Sequence, residues 1–291
     1  MPSTRDIRRR IKSVKNTAQI TKAMQMVASS KMRKAQLAAL AGRPYAALMN
    51  DVMSNVAADA KDFTHPLTEK REGSKRAVVL VSTDKGLCGA LNSNLTREAA
   101  KFDKDTTVFV CAGKKGAQFI ARNKRKLAAE FTYKDAPLFA EARAISKFVQ
   151  EMYSKGEVDR VDILFTNFIS TLNQKPEAKQ LLPIGELKGV QAGIPHGESP
   201  ALAKSSVEFL FEPGADQVLG ALLPHALNFQ IYQILLEAKA SEQSSRMVAM
   251  KNATDNAKQL IKDLTLEYNK LRQVNLTKEF PEITSAAMSM G

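Results

Sequence analysis

Two glycine-bearing stretches are where this chain could hold a phosphate. DKGLCGALNSN, residues 84–94, follows a short apolar run at Ala77–Ser82 and carries Gly86 and Gly89. GKKG, residues 113–116, follows a second run at Thr107–Cys111. Glycines after a strand let backbone N–H groups close on an anion, but both stretches lack the GK[ST] element that brings a lysine onto phosphates. A structural turn is the favoured reading, and a bound anion stays open. Cys88 and Cys111 have neither metal-pair nor CxxC spacing. They read as buried free thiols in a reducing compartment, with a regulatory disulfide as the alternative. His65, His196 and His225 show no ligand spacing, so neither a metal nor a cofactor is expected. No nucleophile–base pair or carboxylate dyad stands out, and no catalytic residue is assigned.

The elements around these stretches alternate. A third apolar run spans Val161–Thr166, and helical stretches cover Asn92–Phe102, Gly116–Arg125 and Pro137–Tyr153. Strands alternating with helices predict a Rossmann-like α/β domain with a largely parallel sheet, over residues 75–212. Residues 171–211 are less regular, with a final strand expected at Val207–Phe211.

The chain ends follow a different period. Stepping by four and three from Ile7 gives Ile11, Val14, Ala18, Thr21, Gln25, Ala28, Met32, Ala35, Ala39, Gly42, Ala46, Met49, Met53 and Val56. The same step from Ala226 gives Phe229, Gln233, Leu236, Ala240, Gln243, Met247, Met250, Thr254, Ala257, Ile261, Leu264, Tyr268 and Leu271. Each is a coiled-coil seam. Ser3 with Asp6 caps the first helix, Arg43-Pro44 bends it near Gly42, and His65-Pro66 stops it. Pro224 suits the first turn of the second, and Pro281 should end it at or before Phe280. The expected division is a helix at 1–62, a helix at 216–280 and an irregular tail at 281–291. Helices of roughly 50–60 residues, or about 75–90 Å, need a partner face. An antiparallel intramolecular coiled coil is the economical answer, and pairing with a second molecule is the alternative.

The net charge of +13 is uneven. Residues 1–50 carry eleven Lys and Arg against Asp6 alone, so this element should seek an acidic partner. The first fifteen residues are basic like a transit peptide, but the seam starts at Ile7 and they read as mature structure. No uninterrupted apolar run reaches 18 residues, so no membrane span is expected.

Three blocks resemble the gamma subunit of F-type ATP synthases, the central rotor shaft. They are RRRIKSVKNTAQITKAMQMVASSKMRKAQ (8–36), STDKGLCGALNSNL (82–95), and SEQSSRMVAMKNATDNA continuing to LTLEYNKLRQ (241–273). The resemblance implies a shaft turning inside a hexamer of alternating alpha and beta subunits, attached at its base to an epsilon subunit and a membrane ring of c subunits. Proton flow would drive the ring, and no ATP chemistry is implied on this chain. Matched positions imply rotor–stator coupling by Met24, Arg246, Arg272, Gln273 and Thr277. They imply a c-ring contact by Phe209, Phe211 and Glu212. Arg246 is expected to face the surrounding ring. The segment LTKEFPEITSAA (276–287) departs from the family pattern, with Leu276 for Ile, Ala286 for Gly, and Pro281 in a stretch usually helical. The resemblance implies a peripheral membrane position, expected on the cytoplasmic side of a bacterial inner membrane, with a processed mitochondrial chain as the alternative. The alternatives are a basic coiled-coil nucleic-acid binder and a nucleotide-regulated enzyme. The basic segment holds a single aromatic, Tyr45, which is poor equipment for base contact.

Overall fold

The computed structural model describes residues 3–59, 65–184 and 214–289. The chain forms two compact units, Met1–Val27 with Met247–Gly291, and Ala28–Arg246. Helix α1 is Thr4–Ala41, α2 is Arg43–Asp59 and α6 is Ala215–Ser289. Between them run β1 (Arg76–Val81), α3 (Leu91–Ala100), β2 (Thr107–Ala112), α4 (Lys114–Arg122), β3 (Lys126–Phe131), α5 (Phe139–Ser154), β4 (Arg160–Phe168) and β5 (Gln174–Leu182).

In the first unit α1 starts as expected. Asp6 N–H donates to Ser3 Oγ at 3.2 Å, and Ser3 N–H donates back to Asp6 Oδ2 at 3.3 Å. This reciprocal cap satisfies N–H groups that a helix start leaves open. The pairing with α6 is antiparallel: Arg8 Nη2 donates to the Tyr268 hydroxyl at 2.8 Å, while further along α1 the hydroxyls of Thr21 and Thr254 meet at 2.7 Å. Ile7, Met250, Ala257 and Leu264 are buried between the helices. The seam positions from Ile7 to Met53 and from Ala226 to Leu271 are buried or half-buried, in both units.

Two prolines overturn the expected boundaries. The helix does not end before Pro281, and within the expected irregular tail at 281–291 the described residues 281–289 are helical, because α6 continues to Ser289. A helical proline deletes one N–H bond and crowds the carbonyl four residues back, at a cost of about 3 kcal/mol. That is one lost link, and the following Ser285-Ala-Ala-Met288 readily continues the helix. Pro224 lies inside α6, which starts at Ala215, rather than in its first turn.

The second unit is built on a sheet in the order β3-β2-β1-β4-β5, parallel except for β5 against β4. Alternate β1 residues face opposite layers. Val79 and Val81 join α5 and the Leu227–Ala238 part of α6 in one core. Val78 and Leu80 join α3 and α4 in the other. The sequence reading missed β3 and β5. Both are edge strands: KLAAEF is largely exposed, and QKPEAKQLL carries a proline and two lysines of the sort that protect an edge. The strand expected at Val207–Phe211 lies outside the described residues. The bend near Gly42 is present as a break between α1 and α2. A Cβ at Gly42 would fall 1.8 Å from Gln233 Nε2, so glycine lets α6 pass close. Helix α2 is described to Asp59, and residues 60–64, before the stop expected at His65-Pro66, lie outside the described residues.

By composition α6 does contain an 18-residue window apolar enough to cross a membrane, and half of that window is buried inside the protein. The sheet accounts for this apolarity, since Leu227, Ile231, Ile234 and Leu235 are all core residues.

Pro281→Ala should restore the missing bond and slow amide exchange over residues 281–286, measured by hydrogen exchange of the full chain. Unchanged exchange there would mean that proline is not what weakens this end.

Candidate functional site

The place where a phosphate could sit is already filled. Lys115 N–H donates to Thr83 O at 3.0 Å, Gly116 N–H to Ser82 Oγ at 2.8 Å, and Lys114 N–H to Asp84 Oδ1 at 3.0 Å. These are the first-turn amides of α4, the donors that would cradle an anion. Gly113 N–H goes to Phe131 O at 2.9 Å. Gly113 has φ +109°, and a Cβ there would meet Ser82 O at 2.2 Å. GKKG is therefore a close-packed turn.

The 84–94 loop serves α6 instead. Ser245 Oγ donates to Cys88 O at 2.7 Å, and Arg246 Nη2 reaches Lys85 O at 3.4 Å and Gly86 O at 3.3 Å. Ser244 Oγ donates to Thr171 O at 2.9 Å, in the turn between β4 and β5. Three successive α6 residues thus bind two loops at the end of the sheet. The two cysteines are free and buried. Desolvation raises the Cys88 thiol and pushes Cys111 up to about 12, so both stay protonated.

Below this contact lies a chain of charges. Lys31 of α1 donates to Asp135 Oδ2 at 2.5 Å, and Lys239 lies 3.3 Å from Asp135 Oδ1. Lys239 is also 2.9 Å from Glu242 Oε2, an ion pair by distance whose angle is poor for a hydrogen bond. Glu242 Oε1 lies 2.7 Å from Arg246 Nη1. Lys239, Glu242 and Arg246 are buried. The Lys239 ammonium also stands 5.0 Å from the centre of the Tyr133 ring, whose hydroxyl donates to Ser82 O at 2.9 Å. Three cations share two carboxylates, so every buried charge has an opposite partner, as burial demands. The Lys31 hydrogen bond foremost, helped by attraction to Lys239, lowers Asp135 to about 2.

The residues expected to couple rotor and stator are not gathered into one place. Met24 is half-buried on α1. Arg272, Gln273 and Thr277 are exposed on α6, with Thr277 Oγ1 donating to Gln273 O at 2.9 Å. Arg246 does not face outward, because Glu242 and the carbonyls of Lys85 and Gly86 hold it inward. Phe209, Phe211 and Glu212 lie outside the described residues.

A family model described as ATP synthase matches residues 3–290. The ATP synthase gamma chain of Opitutus terrae is 47% identical over 289 residues, covering 98% of each chain. That of Methylacidiphilum infernorum is 46% identical and covers 100% of both. The chain belongs to the ATP synthase gamma chain family. Among solved structures, the central stalk and c-ring of the Tetrahymena thermophila mitochondrial ATP synthase contains a chain with a TM-score of 0.60 at 25% identity, covering 80% of this chain and 99% of that one. A chain of the Euglena gracilis mitochondrial enzyme has a TM-score of 0.66 at 19% identity over 99% of this chain and 94% of its own, which speaks to the fold.

Within this gamma chain the charge chain was not anticipated from sequence. The Glu242–Arg246 spacing of four was readable as a helix pair. Lys31 and Asp135 are 104 positions apart, and only the fold brings them together.

The folded Asp135 carboxyl titrates below its unfolded value, so its stabilisation is present above about pH 4 and is lost as pH falls through about 2. Thermal unfolding midpoints of the full chain should drop across that window, and drop less in Asp135→Asn. Equal drops would exclude Asp135 as the source.

Proposed function

We propose that this chain is the central-stalk rotor of an F-type ATP synthase, coupling proton-driven rotation of a c-ring to ATP synthesis or hydrolysis in an alpha/beta hexamer. The observation that carries the reading is the whole-length match to gamma chains, 47% identical in the Opitutus terrae relative. The paired terminal helices suit a shaft, and the occupied amides of α4 suit a chain that leaves nucleotide chemistry to other subunits. On this reading the protein is not catalytic alone, takes no cofactor, and occurs once per complex. It sits peripherally on the cytoplasmic face of a bacterial inner membrane. Its partners are the alpha and beta subunits, the epsilon subunit and the c-ring.

Within that function we assign Met24, Arg272, Gln273 and Thr277 to contact with the hexamer. Arg246 acts from inside, by holding the 84–89 loop. Phe209, Phe211 and Glu212 are assigned to the c-ring contact. The basic N-terminal helix would run against an acidic belt. Charge attraction is long-ranged and less register-bound than interlocking apolar side chains, which suits a surface that must turn.

The nucleic-acid reading rests on one aromatic in the basic segment. Tyr45 is exposed, but its hydroxyl pairs with His225 Nε2 at 2.6 Å and its ring lies 4.7 Å from Phe229, so it is already engaged on one side and has no second aromatic of the segment beside it.

Expressed with the hexamer subunits, the chain should co-purify as one copy per hexamer; salt-sensitive binding to duplex DNA without a hexamer would overturn the assignment. Met24→Lys should leave assembly and ATP hydrolysis in place but cut proton pumping by about tenfold, as expected if one added charge supplies roughly 1.4 kcal/mol of misplaced attraction. Normal pumping in vesicles would remove Met24 from the coupling contact.

A further inference from the structure

The span from Lys239 to Arg246 is about two turns of α6, and directional contacts leave it on several sides. Lys239 reaches Asp135, which Lys31 holds against α1. Lys239 also stands over Tyr133, which is tied to the end of β1. Ser244 binds the β4–β5 turn. Ser245 and Arg246 bind the loop after β1. Just before this span, α6 meets the sheet through apolar side chains such as Ile231, Ile234 and Leu235. Apolar contacts resist separation, but they have no preferred direction and resist rolling weakly. Hydrogen bonds and ion pairs weaken quickly when angles change, so a set spread around a helix resists rotation about its axis.

We propose that Lys239–Arg246 is a torsional clamp, which fixes the angle of α6 about its own axis within the α/β domain, with Lys239 as its central positioning residue. The proposal rests on the rotor reading, since only a chain that carries torque needs such a clamp. Lys239 is the shared link between two carboxylates. Without it, Asp135 keeps Lys31 and Glu242 keeps Arg246, so no carboxylate is left alone. Lys239→Met therefore cuts the clamp without stranding a buried acid, and the variant should fold. The links on either side then act independently, because the network's stiffness comes from their connection.

The test uses the assembled ATP synthase with the hexamer immobilised and a probe on the α/β domain. The reading is the thermal variance of the probe's angle with no ATP present. Lys239→Met should raise that variance roughly twofold or more, because coupled links stiffen one another beyond their separate strengths. Lys239→Arg should restore it, and Lys147→Met, on an exposed face of α5, should leave it unchanged. Ser244→Ala, which removes one neutral link, should raise it by less and keeps the test decisive if Lys239→Met does not fold. Wild-type variance in both clamp variants overturns the proposal, as does a lowered unfolding temperature with no change in variance. A wild-type chain that does not assemble with the hexamer overturns the rotor reading itself, and the clamp with it.

Discussion

Neither terminal helix can hide its apolar stripe alone, so the two ends of this chain must lie against each other. Small residues make the approach close: Ala28, Ala35, Ala39 and Ala46 are all buried on one side. Much of the rest follows from that pairing. The chain has to travel from the end of one helix back to the start of the other, and the α/β domain fills that path. The bend at Gly42, the near approach of Gln233 and the buried hydroxyl pair of Thr21 with Thr254 are local adjustments to it. Each hydroxyl also reaches a carbonyl of its own helix, Ala18 O and Met250 O, so the polar pair sits in the seam with its hydrogen bonds satisfied.

The two kinds of contact along α6 divide the labour. Apolar side chains between Leu227 and Ala238 supply most of the burial against the sheet. The polar span that follows supplies geometry. Each of its charges has an opposite partner, and its neutral links end on backbone carbonyls of two turns. A helix held by burial alone would tolerate small rotations, and one held by burial followed by directed bonds tolerates fewer.

How much of this was legible in the sequence depended on distance along the chain. Seam periodicity reported both helices and the buried positions of α1 and α2, because the signal repeats locally, but on α6 it missed residues such as Leu227, Ile231, Leu235 and Lys239, which the α/β domain buries on other faces. Strands β1, β2 and β4 were legible as apolar runs, being buried on both faces. The edge strands were not, since Lys126, Glu130, Pro176 and Lys179 are residues that edges tolerate and sequence patterns reject. Proline was over-read twice, at Pro224 and Pro281, because a long helix can absorb one missing bond. The residues assigned from the family resemblance were partly misjudged in direction. Arg246 looked like a surface charge until Glu242 and two loop carbonyls were found around it. Asp135, Lys31 and Tyr133 carry no local signal at all and meet only through the fold.

The occupied first turn of α4 has one more consequence. A sheet of this topology ordinarily ends in amides ready for a phosphate, and here Ser82, Thr83 and Asp84 have claimed them. An anion approaching this turn would have to displace three contacts made by the end of β1, so the turn is held as part of the sheet's own scaffold.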